Sequence, residues 1–386
     1  MKIFLFWLYK VLILQYNKEN TDFEVLGMAK KCKPFRVGVI GCVEAAEAHI
    51  AALIAAPETK LVAFCDVDKE KVNEFRKKYK VRRGYTAYMK MLRPSLFHRR
   101  IDAVHICLPS ASRAGFAGYC LLRGRHVMIE PPMAFDLAAV ADIAKNASYT
   151  GKNCGVLLPA RAGTIISHVK DAVASGRLGR ILSVRSVICA GPSKVETTYD
   201  KDYAEKETGR LLFGVAAPAI DLVDILVDAE VAELSCSMAN RAHVGENAAD
   251  SVEGVITYAS GVKHSFYCTS NYENGGSTQI SVLCEGGEIV FDASDARITY
   301  SDGAQEDLHD DNPAMGCLDQ VRDFYTACRE GAVPKTDARG ALRLHKILLA
   351  LYDNAMACGV SFYESSEEPI VEEVPESEPK KPKIWY

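Results

Sequence analysis

A strand-like run that ends in a glycine turn is the first place where this chain could bind a ligand. Val37–Ile40 is followed by Gly41, Cys42 and Val43, and Ala46 then lies in a helix-like segment. Dinucleotide-binding turns carry Gly-x-Gly-x-x-Gly or Ala here, and backbone amides at the helix start hold the phosphates. Gly41 and Ala46 fit the first and third positions, but Val43 replaces the second glycine. Because a β-branched side chain narrows the phosphate path and disfavours positive φ, we expect cofactor binding to be weak or lost.

An acidic residue follows the next apolar run. Asp66 comes directly after Leu61–Cys65 and about 20 residues beyond Ala46, the usual distance of the ribose-binding acid in such domains. A carboxylate at this position binds the ribose hydroxyls and repels a 2′-phosphate, which favours NAD over NADP. The alternative is an N-cap for the helix predicted to begin near Lys69, for which Asp68 is an equal candidate.

Strand-like and helix-like segments alternate from residue 35 to residue 153, as they do in a parallel, doubly wound sheet. The strand segments are continuously apolar, which burial on both faces requires. We therefore predict an α/β Rossmann domain over residues 28–153. Its predicted strands are Val37–Ile40, Leu61–Cys65, Ala103–Leu108 and Val127–Ile129, and its predicted helices are Ala45–Ala55, Lys69–Tyr79, Ala114–Leu122 and Leu137–Lys145.

The pattern changes after Gly155, where β-rich segments separated by glycine turns predict a large, mostly antiparallel open sheet. Ile165–Ala174 has the pattern of an amphipathic helix that stops at Ser175 and Gly176. We assign residues 154–363 to this second, α+β domain. Its predicted strands are Ile181–Ala190, Ala232–Met238, Ser251–Tyr258, Val262–Cys268, Gln279–Cys284 and Glu288–Asp292, with closing helices near Met315–Arg329 and Ala338–Cys358.

Composition limits the class of protein. The 386 residues suffice for two domains, and 48% hydrophobic with 25% charged residues is typical of a globular protein. A formal net charge of −4 argues against nucleic acid or an anionic membrane as a partner. Thirteen cysteines without a metal-ligand spacing predict reduced thiols, no metal and a cytoplasmic location. Cys42 is either a thiol with a lowered pKa at the helix start or a small buried residue, and we favour the second.

The two ends of the chain have patterns of their own. Residues 1–27 include an apolar run that Lys10 interrupts and that is shorter than the about 20 residues of a spanning helix. We favour a poorly ordered extension there over a membrane or secretion segment. Residues 364–386 are rich in Glu, Pro and Ser and predict a disordered tail, with Ile384–Tyr386 as an alternative docking peptide.

The segment Gly124–Pro132 ends the last strand of the first domain with His126, Val127, Glu130 and Pro131. It resembles the pattern Gly-x-His-Val-x-x-Glu-Lys-Pro of the Gfo/Idh/MocA oxidoreductases, in which the lysine lies beside the nicotinamide and the reacting sugar hydroxyl. The resemblance implies that Glu130 helps to shape the nicotinamide pocket. Pro131 takes the place of the lysine and has no ionisable group.

The same resemblance covers the chain from about Phe35 to Phe362 and implies further site positions. Pro109 and Ser110 correspond to the family turn that faces the nicotinamide. Arg113 corresponds to a family histidine, and Arg161 to the arginine of an Arg-Phe segment. Tyr203 and Lys206 precede the predicted substrate-facing helix and are added as cleft candidates. The candidates for lining the substrate cleft are thus Arg113, Arg161, Tyr203 and Lys206.

The segment Gly209–Leu222 resembles the family pattern Gly-Gly-x-x-x-Asp-x-Gly-x-His-x-x-Asp-Leu, with Asp221 fixing the register. The family's Asp and His, which complete the proton relay with the lysine, then fall on Gly214 and Pro218. Neither residue can transfer a proton, and neither can Pro131. Because general acid–base catalysis contributes about 10²–10⁴ in rate, the three replacements together predict loss of the family's activity.

Three functional hypotheses follow from these residues. The first is a catalytically degenerate family member that binds a sugar-like small molecule and has a regulatory or partner-subunit role, as a homo-oligomer or beside a paralogue. The second is an active NAD(P)-dependent oxidoreductase of a sugar or polyol that uses substitute groups such as Tyr203 or Lys206. The third is an interaction protein whose cleft is vestigial and whose tail recruits a partner.

Overall fold

The fold is taken from a computed structural model, which describes residues 33–93, 100–108, 110–134, 136–191, 211–242, 249–272, 276–312, 315–363 and 369–371. The predicted N-terminal extension and the site candidates Pro109, Tyr203 and Lys206 lie outside these residues. In the part of the chain that is described, no helix is both long and apolar enough to cross a bilayer.

The first domain is a parallel sheet of six strands in the order β3-β2-β1-β4-β5-β6, with helices between successive strands. The fold class predicted from the sequence is confirmed. Every residue of β4 and β5 is buried, as a sheet covered on both faces requires. The strands are β1 (Phe35–Ile40), β2 (Thr59–Cys65), β3 (Arg83–Tyr85), β4 (Ala103–Ile106), β5 (His126–Ile129) and β6 (Cys154–Val156), and the helices are α1 (Ala46–Ala55), α2 (Lys69–Lys78), α3 (Tyr88–Leu92), α4 (Ser110–Leu122) and α5 (Leu137–Thr150).

The boundary of this domain differs from the predicted position at residue 153. Strand β6 pairs in parallel with β5, so the sheet continues three residues into the segment that was assigned to the second domain. The strand has only three residues, Cys154–Val156, and all of them are buried. A run this short carries too little periodicity to be recognised before the structure supplies its neighbour.

The second domain contains a ten-stranded sheet in the order β14-β13-β12-β11-β7-β10-β9-β8-β15-β16. It is mostly antiparallel, as predicted, except that β7 pairs in parallel with β10 and β8 with β15. The strands are β7 (Ile181–Cys189), β8 (Val231–Asn240), β9 (Ser251–Tyr258), β10 (Lys263–Thr269), β11 (Ser277–Cys284), β12 (Gly287–Phe291), β13 (Asp295–Tyr300), β14 (Gln305–His309), β15 (Val360–Tyr363) and β16 (Pro369–Val371).

The four strands β13 to β16 of the second domain were not predicted from the sequence, and neither were β3 and β6 of the first. Strand β16 lies inside the predicted disordered tail, where Ser361 pairs with Val371 and Tyr363 with Pro369. The backbone N–H and C=O groups of an edge strand have no partner on one side. Without β16, β15 would be such an edge strand, and the pairing with β16 satisfies these groups. These three residues therefore depart from the prediction, and the rest of the tail is outside the described residues.

Among the described residues, the second domain also contains the helices α6 (Thr164–Ala174), α7 (Ala217–Val227), α8 (Met315–Glu330) and α9 (Ala338–Cys358). A short 3₁₀ helix, Pro159–Ala162, links the two sheets and packs against α8. Gln320 of α8 joins this crossover to the first domain. Its amide accepts from the Leu158 N–H at 2.8 Å and donates to the Val156 carbonyl at 2.8 Å and to the Thr336 hydroxyl.

The Gln320 contacts predict a stability effect. Gln320 is 2% exposed, so Gln320→Leu leaves the Leu158 N–H and the other partner groups in a buried region without the amide. At about 1–3 kcal/mol for each unsatisfied buried group, we expect the free energy of unfolding to fall by about 2–4 kcal/mol. Chemical denaturation measures it, with Thr326→Ala on the exposed face of the same helix as the control. Equal effects of both substitutions would contradict the assigned role.

Candidate functional site

The turn between β1 and α1 lies where the strand order changes direction, between β1 and β4. Open α/β sheets bind ligands at this switch point, beyond the carboxyl ends of the strands. Gly41 has φ of +98°, and a Cβ on it would overlap the Cys107 carbonyl oxygen. Glycine is therefore required at this position by the backbone conformation and by the close approach of the strand end at Cys107.

Val43 does not cause the backbone conflict that the sequence predicted. Among described residues other than glycine, only Lys80 and Asp228 have positive φ, so Val43 has an ordinary backbone conformation. Its half-buried side chain packs against the core instead. The expected penalty from positive φ is therefore wrong, and only the volume of the valine side chain can still narrow the phosphate path.

Three backbone amide groups of this turn are available to bind an anion. The Cys42 N–H donates to Asp66 Oδ2 at 2.7 Å. The next three amides, of Val43, Glu44 and Ala45, have no hydrogen-bond partner among the described residues, and α1 has no side-chain cap. Unsatisfied amides at a helix start, together with the helix dipole, attract phosphate groups. The residues present therefore fit the pyrophosphate of a dinucleotide.

Asp66 and Asp68 have separate roles. Asp68 is the N-cap of α2 and accepts from the Glu70 N–H at 2.8 Å and the Lys71 N–H at 3.3 Å. The carboxylate of Asp66 instead ties the turn to the end of β2, with Oδ1 accepting from the Asp68 N–H at 2.9 Å. The N-cap alternative is thus wrong for Asp66. Each carboxylate oxygen has a second lone pair, so Asp66 can still accept from a ribose hydroxyl.

Cys42 is the small buried residue that the sequence favoured. Its side chain is 2% exposed, and burial, reinforced by the charge of Asp66, raises the pKa of its thiol to about 12. A thiol with this pKa is protonated at neutral pH and is not a nucleophile. All the cysteines in the described ranges are likewise free thiols.

Arg113 holds the ends of β4 and β5 together rather than lining an open cleft. It is 5% exposed. Its Nε donates to the Leu108 carbonyl at 2.6 Å, and its Nη1 donates to the carbonyls of Pro131 and Pro132, each at 2.9 Å. Its Nη2 donates to Glu130 Oε2 at 3.0 Å. The prediction of Arg113 as a residue that faces substrate is therefore wrong, because its donors are used within the protein.

Glu130 lies on the other side of this contact and is the ionisable group next to Pro131. Its side chain is 18% exposed, and Oε1 lies 3.4 Å from His49 Nε2. Burial alone would raise the pKa of Glu130, but the proximity of His49 and the charge of Arg113 outweigh it and lower the pKa. Glu130 is thus a carboxylate at neutral pH. Its role in shaping the nicotinamide pocket remains a prediction.

A chain of buried rings continues from His49. Its Nδ1 lies 2.8 Å from His105 Nδ1, and His105 Nε2 lies 3.0 Å from the Tyr325 hydroxyl. His105 is fully buried and both of its ring nitrogens have a hydrogen-bond partner, so it is a satisfied core histidine. The sequence analysis did not identify His49, whose helical spacing with Ile50 and Leu53 gives no sign that it meets Glu130.

The three positions implied by the resemblance are occupied by residues without proton chemistry. Pro131 is half-buried and forms a cis peptide bond with Pro132. Gly214 lies in a π-helical turn, Leu211–Ala216, that runs directly into α7. Pro218 is exposed in the first turn of α7, where a missing N–H has no cost.

Arg161 is a buried ion-pair partner. Its Nε donates to Asp221 Oδ2 at 2.7 Å and its Nη2 donates to Asp221 Oδ1 at 2.5 Å, a bidentate contact between the crossover and α7. The Asp221 side chain is 3% exposed and that of Arg161 is 14% exposed. Two of the three guanidinium nitrogens of Arg161 thus bind Asp221, and its place in the substrate cleft remains a prediction.

Two domains of this kind, with phosphate-binding amides at the switch point, define an oxidoreductase-type dinucleotide-binding protein. Residues 35–158 match the family model "Oxidoreductase family, NAD-binding Rossmann fold", and residues 166–290 match the "GFO/IDH/MocA C-terminal domain". The chain belongs to the Gfo/Idh/MocA family.

Similar proteins include an uncharacterized oxidoreductase of Rhizobium meliloti, 26% identical over 39% of this chain and 45% of its own. Another is the dTDP-3,4-didehydro-2,6-dideoxy-alpha-D-glucose 3-reductase of Saccharopolyspora spinosa, 27% identical over 42% of this chain and 47% of its own. The chain thus matches about half the length of these relatives. A levoglucosan dehydrogenase in complex with NADH and levoglucosan has the same fold, with a TM-score of 0.75 and 17% identity over 84% of this chain and 98% of that one.

The Arg161–Asp221 pair predicts the effect of removing one partner. Arg161→Ala leaves the Asp221 carboxylate buried without its counter-charge, which costs about 3–5 kcal/mol in such pairs. We expect the midpoint of thermal or chemical unfolding to fall accordingly. Arg180→Ala, which removes the exposed contact with Glu285, is the control and should leave the midpoint almost unchanged. An equally small effect of Arg161→Ala would show that the buried contact does not form.

Proposed function

We propose that this chain is an NAD(H)-binding oxidoreductase that acts on a small polyhydroxylated molecule. The observation that carries the proposal is the amide-lined turn at the switch point, with Asp66 beside it at the end of β2. When bound, NAD supplies hydride transfer, and the chain supplies the phosphate-binding amides of residues 43–45. The volume of Val43 weakens this binding without preventing it, because its side chain packs into the core.

The substrate class rests on the relatives. The reductase of Saccharopolyspora spinosa acts, by its name, on a nucleotide-linked deoxysugar, and levoglucosan dehydrogenase is bound to levoglucosan. Both ligands are sugar derivatives. We propose a sugar or polyol for this chain, bound on the side of the turn where β4 and β5 end. Self-association, which the resemblance implied, remains a prediction.

The proton that leaves the substrate hydroxyl during oxidation needs an acceptor other than Pro131, Gly214 and Pro218. Tyr203 and Lys206 are the candidates that the sequence offers for this role. The three replacements also favour a second version of the function, in which the chain binds cofactor and sugar but turns over slowly and acts as a binding or regulatory protein. Both versions of the proposed function use the same cofactor site, and they differ in the rate of turnover.

The cofactor proposal predicts a preference. We expect the full-length protein to bind NADH at least about tenfold more tightly than NADPH, a difference of about 1.4 kcal/mol that calorimetric titration resolves. Asp66→Asn removes the charge that repels a 2′-phosphate and keeps one carbonyl acceptor, so the two affinities should approach each other. Asp68→Asn is the matched control, since Asn is also a good N-cap, and should leave the preference unchanged. No binding of either nucleotide at millimolar concentration would overturn the proposal.

Turnover separates the two versions. An active enzyme reduces NAD with one of a panel of sugars and polyols, and Lys206→Ala or Tyr203→Phe then lowers kcat by about 10²-fold or more, whereas Lys201→Ala does not. In the slow version, the wild type gives at most slow turnover with any substrate of the panel. The combined substitutions Pro131→Lys, Gly214→Asp and Pro218→His should then raise the rate. If the wild type is inactive and the combined variant stays inactive while binding NADH, the proposal of a sugar or polyol oxidoreductase is wrong.

A further inference from the structure

Three side chains of types that bind metals meet where β4 and β5 end, although the sequence has no metal-ligand spacing. His49 comes from α1, Cys107 follows β4 and Glu130 follows β5. One nitrogen, one sulfur and one carboxylate oxygen of these residues lie within 4.8 Å of one another. His49 and Cys107 are 0% and 1% exposed, and Glu130 provides the side that reaches solvent.

His49 Nε2 is the atom that calls for an explanation. It is buried and has no hydrogen-bond partner within the described part of the chain. Its contact with Glu130 Oε1, at 3.4 Å, is too long for a well-formed hydrogen bond. Buried polar atoms are almost always satisfied by protein, water or an ion, so this nitrogen points to a missing partner between itself and Glu130.

The distance between these atoms suits a metal better than a direct contact. Two ligands at about 2.0–2.1 Å from a tetrahedral zinc ion are separated by about 3.4 Å. This is the separation of His49 Nε2 and Glu130 Oε1. In a tetrahedral zinc site Cys107 Sγ would lie about 3.6 Å from each of them, and the three donor atoms lie within 4.8 Å of one another in the structure.

The surrounding groups are arranged as around a bound metal. Ligating histidines usually donate their other ring N–H to a neighbour, which fixes the tautomer. In one tautomer of the buried ring chain, His49 Nδ1–H donates to His105 Nδ1, and His105 Nε2–H donates to the Tyr325 hydroxyl. Metal binding selects this tautomer, in which His49 Nε2 presents its lone pair to the site.

Arg113 orients the carboxylate of Glu130, as the ring chain orients His49. Its guanidinium holds Glu130 Oε2 at 3.0 Å and leaves Oε1 directed to His49. Its own charge is shared among the backbone carbonyls of Leu108, Pro131 and Pro132. Ligating carboxylates are usually hydrogen-bonded by neighbouring groups, and Arg113 makes such a contact at Glu130 Oε2.

We propose that His49 Nε2, Cys107 Sγ and Glu130 Oε1 bind one divalent transition-metal ion of the zinc class, with a fourth position open to water or a ligand. Binding forms three coordinate bonds, and the Cys107 thiol loses its proton to solvent. The mixed nitrogen, sulfur and oxygen donors favour Zn²⁺ over Mg²⁺ or Ca²⁺, which take oxygen ligands. Three protein ligands with one open position are the pattern of reactive rather than purely structural zinc sites.

The test uses the untagged, metal-free, full-length protein and does not depend on any activity. Titration with Co²⁺ should show one equivalent bound, with a thiolate-to-cobalt charge-transfer band. Cys107→Ser should abolish this band. Cys120→Ser, which alters a fully buried thiol of α4 outside the cluster, is the matched control and should keep it.

Competition with a chromophoric chelator gives the Zn²⁺ affinity. We expect His49→Ala and Glu130→Gln to weaken it by about 100-fold or more. His105→Phe, which removes only the orienting ring, should weaken it by about 10–100-fold, as loss of an outer hydrogen bond does in other sites. Far-ultraviolet circular dichroism checks that each variant is folded.

X-ray absorption of the zinc-loaded wild type identifies the metal ligands without any substitution. It therefore tests the proposal even if a variant does not fold. One sulfur at about 2.3 Å with nitrogen or oxygen neighbours is the expected shell. No binding up to millimolar metal, two or more sulfur ligands, or a cobalt band that survives Cys107→Ser would each overturn the proposal. Because no readout involves NAD or a sugar, failure here leaves the proposed oxidoreductase function untouched.

Discussion

The candidate site depends on one buried guanidinium. Arg113 donates hydrogen bonds to three backbone carbonyl groups in the segments that follow β4 and β5. They belong to Leu108 and to the consecutive prolines Pro131 and Pro132. Proline has no backbone N–H, so Pro131 and Pro132 cannot donate backbone hydrogen bonds. The hydrogen bonds in this region are instead donated by the Arg113 side chain to their carbonyl groups. The planar fork of arginine supplies five donors in one plane, which lysine does not. The same contact fixes Glu130, and through Glu130 it sets the distance to His49.

Much of the fold could be predicted because its signals are local. Ser251–Tyr258 is a strand over its predicted bounds, and α9 begins and ends where the apolar period does. The glycine turn after β1 was also visible, since its residue types are constrained by backbone conformation. The strands β13 and β14 were missed because Asp295–His309 is rich in polar residues, and here the ladder with β12 decides the structure over propensity.

The candidate site was less predictable because its partners are remote in sequence. Arg161 and Asp221 are 60 residues apart, and His105 and Tyr325 are 220 residues apart. A family resemblance can assign a charged residue to a cleft although its side chain forms a buried ion pair. Only the tertiary contacts of the side chain distinguish these two roles. His49 illustrates the converse, because its position on a buried helix face gives the pattern of an ordinary core residue.

At one of the positions that the resemblance assigned to a catalytic residue, the fold does not require the residue present. Pro218 is exposed in the first turn of α7, where a histidine would keep the helix, and Gly214 is half-buried in the turn before it. Beside Pro131, by contrast, Glu130, His49 and Cys107 each carry a group that can bind a proton or a metal. The ends of β4 and β5 therefore bring together groups from three separate elements, and there the Pro131 carbonyl accepts a hydrogen bond from Arg113.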